Sequence, residues 1–116
     1  MIIEAILKIN PNAKVSVEYN GDINTSIITW LENTPPISKE QILAIIPQVE
    51  LDIAMETLRA KRNKLLADTD YTVLQDSTFT DAQVAEWVVY RQALRDITEG
   101  LTTKEQVKAV VFPTKP

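Results

Sequence analysis

At 116 residues, with 45% hydrophobic and 24% charged side chains, the chain has the composition of a globular protein with one modest core or two small lobes. Its net charge of −4 speaks against a nucleic-acid binder, which must neutralise phosphates. It has no cysteine and no histidine, which excludes a disulfide framework, a thiolate site, and the commonest general base and metal ligand.

The first residues lack the basic region and small-residue cleavage site of a signal peptide. No apolar run approaches the ~20 residues that cross a bilayer. A cytoplasmic or virion setting is the expectation, with no membrane partner.

Ile2, Ile3, Ala5, Ile6 and Ile9 recur near helical spacing and predict a helix over residues 2–9, ended by Asn10-Pro11. Residues 14–19 alternate apolar and polar, as a half-buried strand does. Asn20-Gly21-Asp22 supplies turn chemistry, and residues 23–30 read as the returning strand. A three-residue loop sets Tyr19 opposite Ile23, Val17 opposite Thr25 and Val15 opposite Ile27, so that the apolar faces coincide. Trp30 reads as a core anchor, and Pro35-Pro36 as a stiff connector.

Ser38-Lys39-Glu40-Gln41 has the pattern of a capping box. Ile42, Ile45, Ile46, Val49, Ile53 and Ala60 follow at spacings near 3.6. Pro47 interrupts them, and a mid-helix proline costs ~3 kcal/mol. The expectation is therefore a short helix over residues 39–45 and a new one starting at Pro47 and running to about Ala67. Leu51, Leu58 and Leu65 repeat every seven residues and predict a seam against another helix. The loop that follows holds Tyr71, Val73, Leu74 and Phe79, too apolar for a solvated loop and expected to fold down over the helices. Thr80-Asp81-Ala82-Gln83 is a second capping box. Its helix is expected to bury Val84, Trp87, Val88, Leu94 and at most the stem of Arg91, leave Tyr90, Arg91 and Arg95 on an edge, and end near Thr98-Glu99-Gly100. A short helix to about Ala109 and an extended tail, Val110-Val111-Phe112-Pro113, complete the chain.

The acids Asp68, Asp70, Asp76 and Asp81 lack the glycine and closing glutamate of a calcium loop, so no metal is expected. The cluster Arg59, Lys61, Arg62 and Lys64 reads as a solvated helix end, with Arg62 pairing Asp70 or Asp68. No serine or threonine has an activating base, and neither an enzymatic activity nor a cofactor is expected.

Residues 61–96 carry a pattern that resembles a known family. It stands here as Arg62, Leu65, Leu66, Thr69, Asp70 and Tyr71, then Thr80, Asp81, Gln83, Trp87, Tyr90, Arg91, Gln92, Leu94, Arg95 and Asp96. It is similar to the C-terminal region of bacteriophage tail fibre assembly and tail assembly chaperone proteins. The resemblance implies a non-enzymatic protein that helps a fibre or other tail protein fold, trimerise or attach, working in the host cytoplasm during assembly. The other reading is a structural accessory protein kept in the virion tail, bound to fibre or baseplate.

Together these readings predict an α+β fold. An N-terminal helix and β-hairpin form one lobe (residues 1–36), and an antiparallel helical hairpin with a short C-terminal helix and tail forms the other (residues 37–116). The candidate partner-binding residues are Tyr90, Arg91 and Arg95 on the second hairpin helix, Val111 and Phe112 in the tail, and Ile42 and Ile46 on the connecting segment. The last two are expected to be partly exposed until a client arrives. Self-association is left open.

Overall fold

The computed structural model describes all 116 residues. The fold is α+β: α1 (Ile2–Ile9), β1 (Lys14–Glu18), β2 (Ile27–Leu31), α2 (Lys39–Thr69), a 3-10 turn (Asp70–Val73), α3 (Asp81–Arg95), a second 3-10 turn (Asp96–Thr98) and α4 (Lys104–Lys108). It packs as two compact units, Met1–Asp52 and Ile53–Pro116. No helix is long and apolar enough to cross a membrane.

In the first unit, α1 has the predicted bounds and buries Ile2, Ala5 and Ile6. Ala13, Ile23, Ile42 and Val49 complete that core, with Val15, Val17, Ile28, Trp30, Ile37, Ile45 and Ile46 packed against it. Lys8 of α1 is tied to Asp52 at 2.7 Å.

The hairpin is antiparallel, but its register differs from the expected one. Val15 pairs with Trp30, and Val17 with Ile28. The shift is by an odd number of residues, so it reverses the face of β2: Ile28 and Trp30 turn inward, and Ile27 is 59% exposed. The cause lies in residues 19–26, which form a hydrogen-bonded loop and not a minimal turn. The Ser26 hydroxyl donates to the Asp22 carbonyl at 2.6 Å, and the Asn20 side chain bonds the Thr25 carbonyl, the Thr25 hydroxyl and the Asp22 amide. That loop drops Ile23 into the core from outside the sheet. After β2, Glu32 and Asn33 both have positive φ, and the Thr34 amide closes on the Leu31 carbonyl at 3.0 Å. Backbone of this hand at both central residues is a type I′ turn.

α2 is one continuous helix of 31 residues that contains Pro47, so the expected break at residues 45–47 does not occur. Pro47 faces solvent, where its ring disturbs no packing. Ile42, fully buried, and Val49 anchor the helix on either side of it. Their burial, at about 1.5–3 kcal/mol per large aliphatic side chain, outweighs the ~3 kcal/mol cost of the proline. The connecting segment is thus docked on its own unit: Ile42 is buried and Ile46 packs on the core, against the expectation of partial exposure. Ser38 and Gln41 form the predicted capping box.

The inward stripe of the first half of α2 stops at Val49. Ile53, in phase with it, is exposed, and Ala60 is too. A second stripe out of phase with the first begins at half-buried Leu51 and continues through buried Met55 and Leu58 to half-buried Leu65. The change of stripe falls where one compact unit gives way to the next.

Candidate functional site

The second unit is built around one end of α2. Its last turn contains no basic residue, so its free carbonyls and negative dipole end lack a local cation. Arg91 of α3 supplies one. Its guanidinium donates to the Leu66 carbonyl at 2.6 Å, to the Thr69 hydroxyl at 2.9 Å and to the Asp70 carboxylate. Thr69 in turn donates to the Leu65 carbonyl at 2.7 Å, and buried Thr72 donates to the Thr69 carbonyl at 2.6 Å. No buried side-chain nitrogen or oxygen lacks a hydrogen-bond partner. This network joins α2, the 3-10 turn and α3 into a helical hairpin.

Arg91 lies on the inward stripe of α3 with Trp87 and Leu94, four and three residues away, which is the helical spacing of one face. α3 opens on Thr80 and Gln83 in the predicted capping box. Asp70 therefore pairs with Arg91 and not with Arg62, whose Nε donates to Asn63. Asp68 pairs with Lys64.

Against this network stands a row of aromatic rings. Tyr71 lies 6.2 Å from Phe79, Phe79 lies 6.3 Å from Trp87, and Trp87 meets Tyr90 edge-on at 5.6 Å. Separations of this size suit the ring quadrupoles. Tyr90 at one end is buried, Trp87 and Phe79 are half-buried, and Tyr71 at the other end is 57% exposed. Leu74 beside it is also exposed, so these two residues do not fold down over the helices as expected.

The tail lies along α3. Glu86, Val89, Tyr90 and Ala93 line a shallow cavity of about 340 Å³ together with Pro113, Thr114 and Pro116. Phe112 is half-buried under Lys61, whose ammonium sits 4.4 Å from the ring centroid. Gly100, with φ of 74°, ends the second 3-10 turn, and Thr103 with Gln106 caps α4.

The residues singled out from sequence therefore divide. Tyr90 and Arg91, expected on an exposed edge, are buried, because the inward stripe of α3 runs through them. Arg95 and Val111 are at the surface. Phe112 is folded back, and Ile42 and Ile46 belong to the core of the first unit. Val88, expected inside, is exposed beside Val89. What the second unit offers to solvent is a set of apolar side chains: Ile53 on α2, Tyr71 and Leu74 after it, Val88 and Val89 on α3, and Val111 in the tail.

The family model described as phage tail assembly chaperone protein matches residues 55–116, more than half of the chain. No curated protein and no solved structure matches. The chain belongs to the phage tail assembly chaperone family.

Proposed function

We propose that this chain, as a phage tail assembly chaperone protein, is a non-enzymatic folding partner of a tail protein, with the tail fibre the foremost candidate client. It acts in the infected host cell during assembly. The observation that carries this reading is a coincidence of boundaries: the family match spans residues 55–116, and the second compact unit spans Ile53–Pro116. The shared part is thus one self-contained body, in which a buried polar network fixes the helical hairpin and leaves Tyr71, Leu74, Val88, Val89 and Val111 exposed. Large apolar side chains held at a surface suit contact with the unfinished surface of another protein. Arg95, at the surface of α3, is well placed for the rim of such a contact.

Co-expression with the fibre gene of the same phage tests the reading. The full chain is expected to raise the yield of soluble, trimeric fibre. An unchanged yield with each tail protein in turn would overturn it. Mass spectrometry of purified particles separates a transient chaperone, absent from the particle, from an accessory protein present in fixed proportion.

A further inference from the structure

The second unit ends in a segment that is seated but weakly held. Residues 110–116 form no helix or strand, and the last backbone hydrogen bond runs from the Val110 amide to the Val107 carbonyl at 3.3 Å. No residue after Val110 takes part in a hydrogen bond or an ion pair. Apolar contact holds the tail: Phe112 and Pro113 are half-buried, while Val111 is 87% exposed. The Lys61 ammonium over the Phe112 ring adds a tie that is weak at an exposed site. Segments with so few buried contacts open at little cost.

Nor does the tail fill its seat. A cavity of about 340 Å³ lies between Pro113 and Pro116 on one side and Val89, Tyr90 and Ala93 of α3 on the other. Val89, on its wall, stays 71% exposed. The surface has room for a bulkier occupant than the one it carries.

We propose that the tail is a displaceable strap over a binding surface on α3, and that the surface takes an extended client segment in which an aromatic residue directly precedes proline. The seated tail is the argument for that occupant. A helix flank offers an extended segment no backbone ladder, so an amide pressed onto it loses water without gaining a partner. Proline has no N–H to lose, and it holds the residue before it extended. An aromatic ring at that position meets the Lys61 cation. The tail has these features in Phe112-Pro113, and a client segment with larger side chains around the same pair fills the cavity that the tail leaves. A tethered tail competes at an effective concentration on the order of millimolar, so poorly fitting segments are kept off. The inference rests on the chaperone reading only in taking the segment from the client.

A synthetic peptide with the tail's own sequence, Val-Val-Phe-Pro-Thr-Lys-Pro, tests it, beside a control with serine in place of phenylalanine. Each is titrated into the full chain and into full-length Phe112→Ser while backbone amides are followed by NMR. The tail peptide is expected to shift the amides of Lys61, Val89, Tyr90 and Ala93, and the control to shift none of them. It should bind Phe112→Ser at least about fivefold more tightly than the wild type, because the strap no longer competes. The wild type alone carries a second readout: as the peptide binds, the amides of Val111, Phe112 and Thr114 should move to the positions of a disordered chain. Equal binding to both chains, binding to neither, or binding that leaves the tail amides unmoved would overturn the inference. A dimer of the free wild type that Phe112→Ser abolishes, seen by light scattering, would make a second copy's tail the occupant and overturn the client assignment.

Co-expression separates this inference from the chaperone reading. Phe112→Ser is expected to yield more soluble client than the wild type, since its seat is open. If it yields no more, while the wild type still supports the client, the seat is not the client's and the chaperone reading stands. If the wild type supports no client, that reading falls, and the peptide pair still decides whether the tail is a strap.

Discussion

Arg91 and Asp70 form an ion pair whose members sit in different media: the arginine side chain is 7% exposed and the carboxylate 62%. A half-solvated pair is screened, so the ion pair is the lesser part of what Arg91 does. The greater part is its bonding to the Leu66 carbonyl and the Thr69 hydroxyl at the end of α2. Arg91→Met is expected to destabilise the chain by about 2–4 kcal/mol, because it strips partners from buried polar groups. Asp70→Asn should cost under about 1 kcal/mol. Urea denaturation measures both, and equal losses would make the ion pair the main term.

Arg91→Lys separates charge from shape. A lysine keeps the cation at the negative end of the α2 dipole but cannot reach a carbonyl, a hydroxyl and a carboxylate at once from one planar fork. It should recover less than half of the stability lost in Arg91→Met, by the same denaturation measurement.

Much of this architecture is legible in the residues. Capping boxes are local, and Ser38/Gln41 and Thr80/Gln83 both form as spacing predicts. The bounds of α1 are legible because Asn10-Pro11 ends it by backbone sterics alone. What local reading misses depends on contacts between distant residues. Arg91 looks like a surface cation until the end of α2 is seen to lack one of its own. Even so, its place on the Trp87 and Leu94 face was a signal that it points inward. The hairpin register depended on Asn20 and Ser26, whose side chains bond backbone and each other within the loop.

The register itself can be tested with neighbouring residues of β2. Ile27 faces solvent and Ile28 packs on the core. Ile27→Lys should change stability by less than about 0.5 kcal/mol, as surface substitutions usually do. Ile28→Lys should destabilise by about 2 kcal/mol or more, because it sets a charge against a packed apolar face. The reverse order in chemical denaturation would restore the register with Val17 opposite Thr25.

Trp87 bridges Phe79 and Tyr90 but is only half-buried. Trp87→Ala should therefore cost about 2–3 kcal/mol, less than the 3–5 kcal/mol usual for a fully buried aromatic. Near-ultraviolet circular dichroism should lose intensity at the same time, since the fixed ring pairs break. An unchanged denaturation midpoint would mean that the row contributes nothing to the fold.

Pro47 lies inside α2. If the helix broke there, proline would sit in the first turn of a new helix, where its missing N–H is harmless and its fixed φ helps. Replacing it with alanine would then be neutral or slightly destabilising. In the continuous α2 it occupies the interior, where the Leu43 carbonyl receives no amide from position 47. Alanine would restore that bond and the better helix propensity, against a loss of about 0.4–1 kcal/mol as the unfolded chain gains freedom. The balance favours alanine, so Pro47→Ala should raise stability by about 1–2 kcal/mol. Hydrogen exchange gives an independent reading. Amides from Ile42 to Val49 should be protected as strongly as those of the rest of the first unit's core, because Ile42 and Val49 are among its most buried residues. A neutral or destabilising Pro47→Ala, with weak protection on both sides of residue 47, would mean that α2 is two helices in solution.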